Sequence, residues 1–253
     1  MIGIIGGSGV YELTEIADSK EEKLVKTEYG EVLVTILDIK DKKVLFIPRH
    51  ASGHSIPPHK INFKANIQAL KDCGVNQIIA TNAVGSLNLD LAPGDFVLAD
   101  DFLDFTVKRD RTFYDDVVIH VDVSDPFCSR LREVIASCGN VKNSGATLVC
   151  TEGPRFETRA EIRMFTKLDC DLVGMTSLPE VVLAKEKEMC YASICVVSNY
   201  AAGISPDKLT LDEVSEIMAV KKKELINVIL QAIEKLDEDF DCPCLHALEG
   251  SGA

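Results

Sequence analysis

The stretch from Met1 to Val10 constrains this chain more than any other. Met1-Ile-Gly-Ile-Ile runs straight into Gly6-Gly7-Ser8-Gly9, which reads as a buried strand ending in a tight loop whose backbone N–H groups can point at an anion. Ser8 adds a hydroxyl to that loop. A dinucleotide-binding fingerprint would need glycine where Glu12 stands, so that version of the motif is weak. The alternative is a plain strand–turn corner, and the glycines alone do not separate the two readings.

With 253 residues, 46% of them apolar, the chain can bury one substantial core, and one α/β domain is expected. No apolar run reaches the ~18–20 residues of a membrane helix, and no basic-then-apolar leader precedes the first strand. A cytoplasmic protein without a membrane partner is the expectation. A formal net charge of -13 argues against nucleic acid as a partner, because no basic field offsets it. An anionic substrate then needs a local basic pocket.

Most of the nine cysteines lie inside apolar runs, where a reduced thiol packs as a small hydrophobe. Cys242-Pro-Cys244, in a polar tail, stands apart: its spacing suits a strained disulfide or half a metal site. No second pair repeats that spacing, which counts against a metal.

Residues 31–37 and 43–48 read as neighbouring strands joined at Ile39-Lys-Asp-Lys. The second delivers Arg49 and His50 into a loop with His54, His59 and Lys60, the strongest local positive charge in an acidic chain. That contrast points to an anion site. A solvated loop is the bland alternative, and the histidines follow no zinc-ligand spacing. Residues 62–73 form a helix with Phe63, Ile67 and Leu70 on one face, stopped by Gly74. A strand at 77–81 runs into a second glycine-containing loop, Asn82-Ala-Val-Gly-Ser86, and another strand follows near 96–99. This is the grammar of a parallel α/β sheet. Ligands gather where its strand ends meet, which places the Ser8, Arg49 and Asn82 loops at one cleft.

Residues 100–125 lack periodicity and read as irregular connections carrying His120, by its setting a surface histidine. A strand at 146–151 delivers Glu152-Gly-Pro-Arg-Phe156-Glu157 to a loop, and Thr158 with Glu161 makes a capping box for a helix over 159–168. A buried strand then gives Met175 and Thr176, and Pro179 opens a helix over 180–187 whose N-terminus favours an anion near Thr176. The last strand, 191–198, ends at Asn199. Thr210 and Glu213 cap a long amphipathic helix reaching about residue 236.

Taken in order, IIGGSG, PRH, NAVGS, TEGPRFET and MTSLPEVVLAKE resemble the trimeric purine nucleoside phosphorylase and methylthioadenosine phosphorylase family over residues 1–236. Motifs in register are far more specific than any one of them. The tail, 237–253, lies outside the resemblance. It implies a single-domain, mixed twisted sheet flanked by helices, a homotrimer or a dimer of trimers, inorganic phosphate as co-substrate, and neither cofactor nor metal. Carried over by position, Ser8, Arg49, His50, Ala83 and Thr176 match the phosphate site, with Asn82 beside Ala83. A dianion wants a charged fork, hydroxyls and backbone N–H groups, and these supply all of them. Met175 matches the residue that packs the ribose and Phe156 the aromatic that stacks on the purine; without the resemblance Phe156 reads as core. His54 and His120 fall in loops the family uses near the 5′ end of the nucleoside, partly across a subunit interface.

The reaction implied is phosphorolysis, in which phosphate displaces the purine from C1′ with inversion through an oxocarbenium-like transition state. No covalent nucleophile is needed, and Asn199, Glu157 and His50 are the catalytic candidates. Glu157 stands where 6-oxopurine members carry glutamate, and its carboxylate accepts from N1–H; against adenine N1 it would set acceptor to acceptor. Asn199 stands where adenine-preferring relatives carry aspartate, and its amide donates to N7 or O6 as the base leaves. Ala201 replaces a second aspartate of those relatives. The alternative is that Glu157 pairs with Arg155 or Arg159 and that Asn199 is a turn residue. Leu211 aligns with a histidine of members that bind a free 5′-hydroxyl, and an apolar residue there favours a methylthio group by about 1–3 kcal/mol. The combined expectation is phosphorolysis of 5′-methylthioinosine to hypoxanthine and 5-methylthioribose 1-phosphate, with inosine or guanosine secondary. Methylthioadenosine phosphorolysis and a noncatalytic nucleoside-binding protein are the alternatives.

Overall fold

The N-terminal apolar run lies at the centre of a mixed sheet, where a strand buried on both faces finds partners on both edges. In the computed structural model, which describes every residue except 8, 9, 52, 54, 207–209 and 253, β1 (Ile2–Gly6) runs parallel to β4 (Lys42–Pro48) on one side and β5 (Gln77–Ser86) on the other. The described strands also include β2 (Ser19–Thr27), β3 (Gly30–Ile39), β6 (Phe96–Phe105), β7 (Val141–Thr151), β8 (Leu172–Gly174) and β9 (Cys190–Tyr200). Their order is β2-β3-β4-β1-β5-β8-β7-β6-β9, and β9 pairs back onto β5 in parallel register from Gln77↔Cys190. The far half of the sheet therefore closes into a ring through β5, β8, β7, β6 and β9.

Helices cover both faces. Alternation along β1 directs Ile2 and Ile4 to one core and Ile5 to the other. On the Ile5 side pack α2 (Phe63–Asp72) and α5 (Glu180–Glu186); on the Ile2 side pack α3 (Ser129–Ala136) and α6 (Leu211–Lys235). Short α1 (Leu13–Ile16) and α4 (Arg159–Lys167) complete the set. Asn62 caps α2 by accepting from Ala65 N at 3.0 Å, and Thr210 caps α6 by accepting from Glu213 N at 3.2 Å.

The strands and helices expected from the sequence are present, with these corrections. Residues 82–86 are not a loop: β5 continues through them with a bulge between Val84 and Gly85, because β8 and β9 supply ladder partners there. The segment after residue 99 continues as β6 to Phe105. β2 escapes an apolar pattern because, as an edge strand, it exposes most of its side chains to water. The polar tail after residue 236 is anchored to the core. Leu236, Cys242 and Cys244 are buried in the core under α3 and α6, and Gln77 Nε2 donates to Asp237 O at 2.9 Å.

The capping box at α4 forms in full: Thr158 Oγ1 accepts from Glu161 N at 3.2 Å and Glu161 Oε2 accepts from Thr158 N at 2.7 Å. Thr158→Ala is expected to cost about 1 kcal/mol, a fall of roughly 2–4 °C in Tm for a chain of this size. Thermal unfolding followed by circular dichroism checks it; an unchanged Tm contradicts the capping role.

Candidate active site

A cavity of about 450 Å³ opens where the strand ends meet. Gly7 comes from the end of β1, Arg49 and His50 from the end of β4, and Asn82 and Ala83 from β5. Phe156 and Glu157 come from the loop after β7, Met175 and Thr176 from the end of β8, Asn199 and Ala201 from the end of β9, and Leu211 from the start of α6. Ser8 and His54 lie outside the described residues. His120 is not brought to the cavity. It is exposed, its backbone N–H donates to Ser251 O at 2.8 Å, and its neighbour Ile119 bridges Gly252, so pairing with the tail holds this segment elsewhere.

At the anion end, Arg49 does not present a bare fork. Its Nε and Nη2 donate to the two carboxylate oxygens of Glu180 at 2.8 and 2.7 Å, and Nη1 donates to Thr81 O at 2.7 Å. Both side chains are almost wholly buried, and a guanidinium taken out of water needs such a counter-ion. Tyr191 adds a hydrogen bond to Glu180 Oε1 at 2.7 Å. Burial, together with the Glu180 charge, holds the Tyr191 pKa well above that of an ordinary phenol, so the hydroxyl remains a donor. Glu180 stands inside the MTSLPEVVLAKE motif, but no role is read for it there. Its signal is that it is the single charge in the apolar run from Ser177 to Ala184.

Asn82 also plays a different part from the one expected. Thr176 Oγ1 donates to Asn82 Oδ1 at 2.6 Å, while Asn82 Nδ2 donates to Ser177 Oγ at 3.1 Å and to Ser193 Oγ. Its buried amide is committed to neighbours, so it positions Thr176 and leaves direct anion contact to others. An anion that recruits the Thr176 proton has to turn that hydroxyl away from Asn82. His50 Nδ1 lies 2.8 Å from Ile56 O; a carbonyl only accepts, so the Nδ1 carries the proton.

The base end is sparser. Thr151 Oγ1 donates to Glu157 Oε1 at 2.6 Å. Burial pushes the Glu157 pKa up, with the Thr151 hydrogen bond opposing it. Arg155 directs its fork at Glu161, at 2.9 and 2.7 Å, and among the described residues Glu157 forms no salt bridge. Asn199 Oδ1 accepts from Ser198 Oγ at 2.7 Å and its Nδ2 donates to Tyr200 O at 2.9 Å. The second Nδ2 proton is engaged by none of the described residues. Gly85 permits this placement, since a Cβ there would lie 3.2 Å from Asn199 Nδ2. Phe156 is 39% exposed and therefore not core; an aromatic face at the lip of a cavity suits a planar ligand. Gly153 suits its place on two counts: its φ is +65°, and a Cβ there would sit 2.7 Å from Met175 Sδ, so that side chain would have to shift.

The model of the Phosphorylase superfamily matches residues 1–234. The chain belongs to the phosphorylase superfamily. A relative from Methanothermobacter thermautotrophicus, named a probable S-methyl-5'-thioinosine phosphorylase, is 55% identical over 99% of this chain and 90% of its own length. A 6-oxopurine nucleoside phosphorylase from Pyrococcus furiosus is 49% identical over 99% of this chain and 98% of its own. Among solved structures, the methylthioadenosine phosphorylase of Schistosoma mansoni in complex with adenine superposes with a TM-score of 0.92 at 30% identity, covering 99% and 98% of the two chains. The 99% coverage means that this phosphorylase superfamily member aligns with its relatives through the tail as well, beyond the limit set from the motifs.

In this phosphorylase superfamily chain, one wall of the cavity was legible only at Leu211, through the resemblance. Leu211, Val214, Ser215 and Met218 of α6 line it together, one stripe at helical spacing. From the sequence the same periodicity reads only as a packing face. Among the described residues no helix is long and apolar enough to cross a membrane.

Proposed function

We propose that the chain is a purine nucleoside phosphorylase that prefers 5′-methylthioinosine, releasing hypoxanthine and 5-methylthioribose 1-phosphate. The observation that carries this reading is Glu157: a largely buried carboxylate in the cavity wall, hydrogen-bonded to Thr151 and unpaired with any described cation. A group of that kind wants a donor from the ligand, and N1–H of a 6-oxopurine is one. The names borne by the relatives from Methanothermobacter thermautotrophicus and Pyrococcus furiosus agree with it.

In the mechanism that follows, phosphate binds at the end formed by Arg49, His50, the Ala83 backbone and Thr176, and attacks C1′. Met175 packs the ribose and Phe156 the purine. As the glycosidic bond lengthens, negative charge appears on the base; the spare amide proton of Asn199 meets it at N7 or O6, while Glu157 holds N1–H. Neither step calls for a cofactor. The assembly is a cytoplasmic homotrimer, with His120 supplied to the 5′ end from a neighbouring copy.

Methylthioinosine supplied with and without inorganic phosphate tests the reaction class. Hypoxanthine release that requires phosphate is expected; tight binding with no release in either condition overturns it in favour of a noncatalytic scaffold. Leu211 tests the 5′ preference separately. Leu211→His removes apolar burial worth about 1–3 kcal/mol and adds a partner for a hydroxyl. The ratio of inosine to methylthioinosine kcat/KM is expected to rise about tenfold, and an unchanged ratio removes Leu211 from the 5′ site.

A further inference from the structure

The end of β9 opposite Asn199 holds a second cluster of chemistry, which shares no residue with the cavity. Cys190 opens β9, Cys128 immediately precedes α3, and Cys242 and Cys244 flank Pro243 in the tail. Their sulfurs all lie within 4.8 Å of one another, and Cys128 Sγ is 3.6 Å from Cys242 Sγ. All of these thiols are buried. The second half of a site that spacing alone argued against is thus present, but it is assembled by the fold from residues far apart in sequence.

We propose that these four cysteines form a structural tetrathiolate site for one divalent zinc ion, which fastens the C-terminal tail to the head of β9 and the start of α3. Zinc–sulfur bonds of about 2.3 Å in a tetrahedron set the sulfurs about 3.8 Å apart, close to the Cys128–Cys242 distance. A disulfide would draw two sulfurs to about 2.05 Å and leave each bonded to one partner, whereas Cys128 Sγ lies within 4.8 Å of the sulfurs of Cys190, Cys242 and Cys244 alike. Soft sulfur donors in a closed apolar setting select zinc over the hard cations, and with every ligand supplied by protein no position is open for chemistry. Binding releases the four thiol protons and leaves a net charge of two minus on the site.

A neighbouring cation fits that charge. Arg130 lies two residues after Cys128, with its guanidinium 3.8 Å over the Phe240 ring. Its Nε is buried and has no hydrogen-bond partner among the described residues. Phe240 in turn lies two residues before Cys242, so the arginine and its aromatic partner bracket the same junction. The site would close a loop of more than a hundred residues, between Cys128 and Cys242, and so stabilise the fold most where the tail meets the sheet.

The test is elemental analysis of the untagged wild-type protein, grown with zinc and purified anaerobically without a metal-affinity step. One zinc per chain after gel filtration is expected. Exchange into cobalt(II) should give the intense sulfur-to-cobalt charge-transfer bands of a tetrathiolate. Cys244→Ser should lose the metal while Cys73→Ser, outside the cluster, keeps it. Zinc below about a tenth of an equivalent overturns the proposal, whether intact mass then shows the thiols joined as disulfides or all of them free. Because the wild-type protein alone decides this, failure of the Cys244 variant to fold leaves the test intact.

Discussion

Glu180→Gln should be the most damaging conservative substitution in the chain. It keeps the shape of the side chain but removes the charge against which Arg49 is buried on both of its carboxylate contacts. Breaking a buried pair by removing one partner costs about 3–5 kcal/mol, which for a chain of this length is a fall in Tm on the order of 10 °C. The Arg49 guanidinium then faces the cavity without its counter-ion. Inorganic phosphate is therefore expected to raise the Tm of the variant more than that of the wild type. Thermal unfolding with and without phosphate measures both effects. A variant within about 2 °C of wild type, or one indifferent to phosphate, contradicts this account of the anion end.

The second large effect is expected at the purine edge. A hydrogen bond to a charged group contributes about 1.5–3 kcal/mol, so Glu157→Gln should lower kcat/KM for a 6-oxopurine nucleoside roughly ten- to a hundredfold. The glutamine amide can rotate to present its donor to adenine N1, so discrimination against methylthioadenosine should weaken as well. Asn199→Asp should move the ratio in the same direction. The wild-type pH profile carries the same signature. The carboxylate is the form that accepts N1–H, and burial raises its pKa above the usual glutamate value of about 4.3. The competent form is complete above that raised value and is lost as pH falls through it, so an acid limb displaced upward is expected in kcat/KM and should disappear in Glu157→Gln. Equal losses for both nucleosides would mean that Glu157 only supports the loop.

What could be read from the sequence were features whose cause is local. The hairpin at Ile39, the caps at Thr158 and Thr210, and the strand ends carrying Arg49, Thr176 and Asn199 each follow from a few neighbouring side chains, and the cavity unites those strand ends. The features that escaped depend on partners distant in the chain. Arg49 looks like a free cation until Glu180, 131 residues away, is folded against it. Asn82 looks like an anion ligand until Thr176, Ser177 and Ser193 occupy its amide. Cys242 and Cys244 look isolated until Cys128 and Cys190 arrive beside them. Residues 82–86 look like a loop because their strand pairing is set by β8 and β9. Family resemblance supplied the roles of Phe156 and Glu157, which no local pattern reveals.

The measurement that bears most directly on the central claim is phosphate-dependent kcat/KM for methylthioinosine, methylthioadenosine and inosine, side by side on the purified protein. The account predicts methylthioinosine ahead of methylthioadenosine by about tenfold or more, from one mismatched polar pair, and ahead of inosine by the smaller margin of apolar 5′ burial. Methylthioadenosine in first place would contradict it, because Glu157 and Asn199 would then not be reading the base.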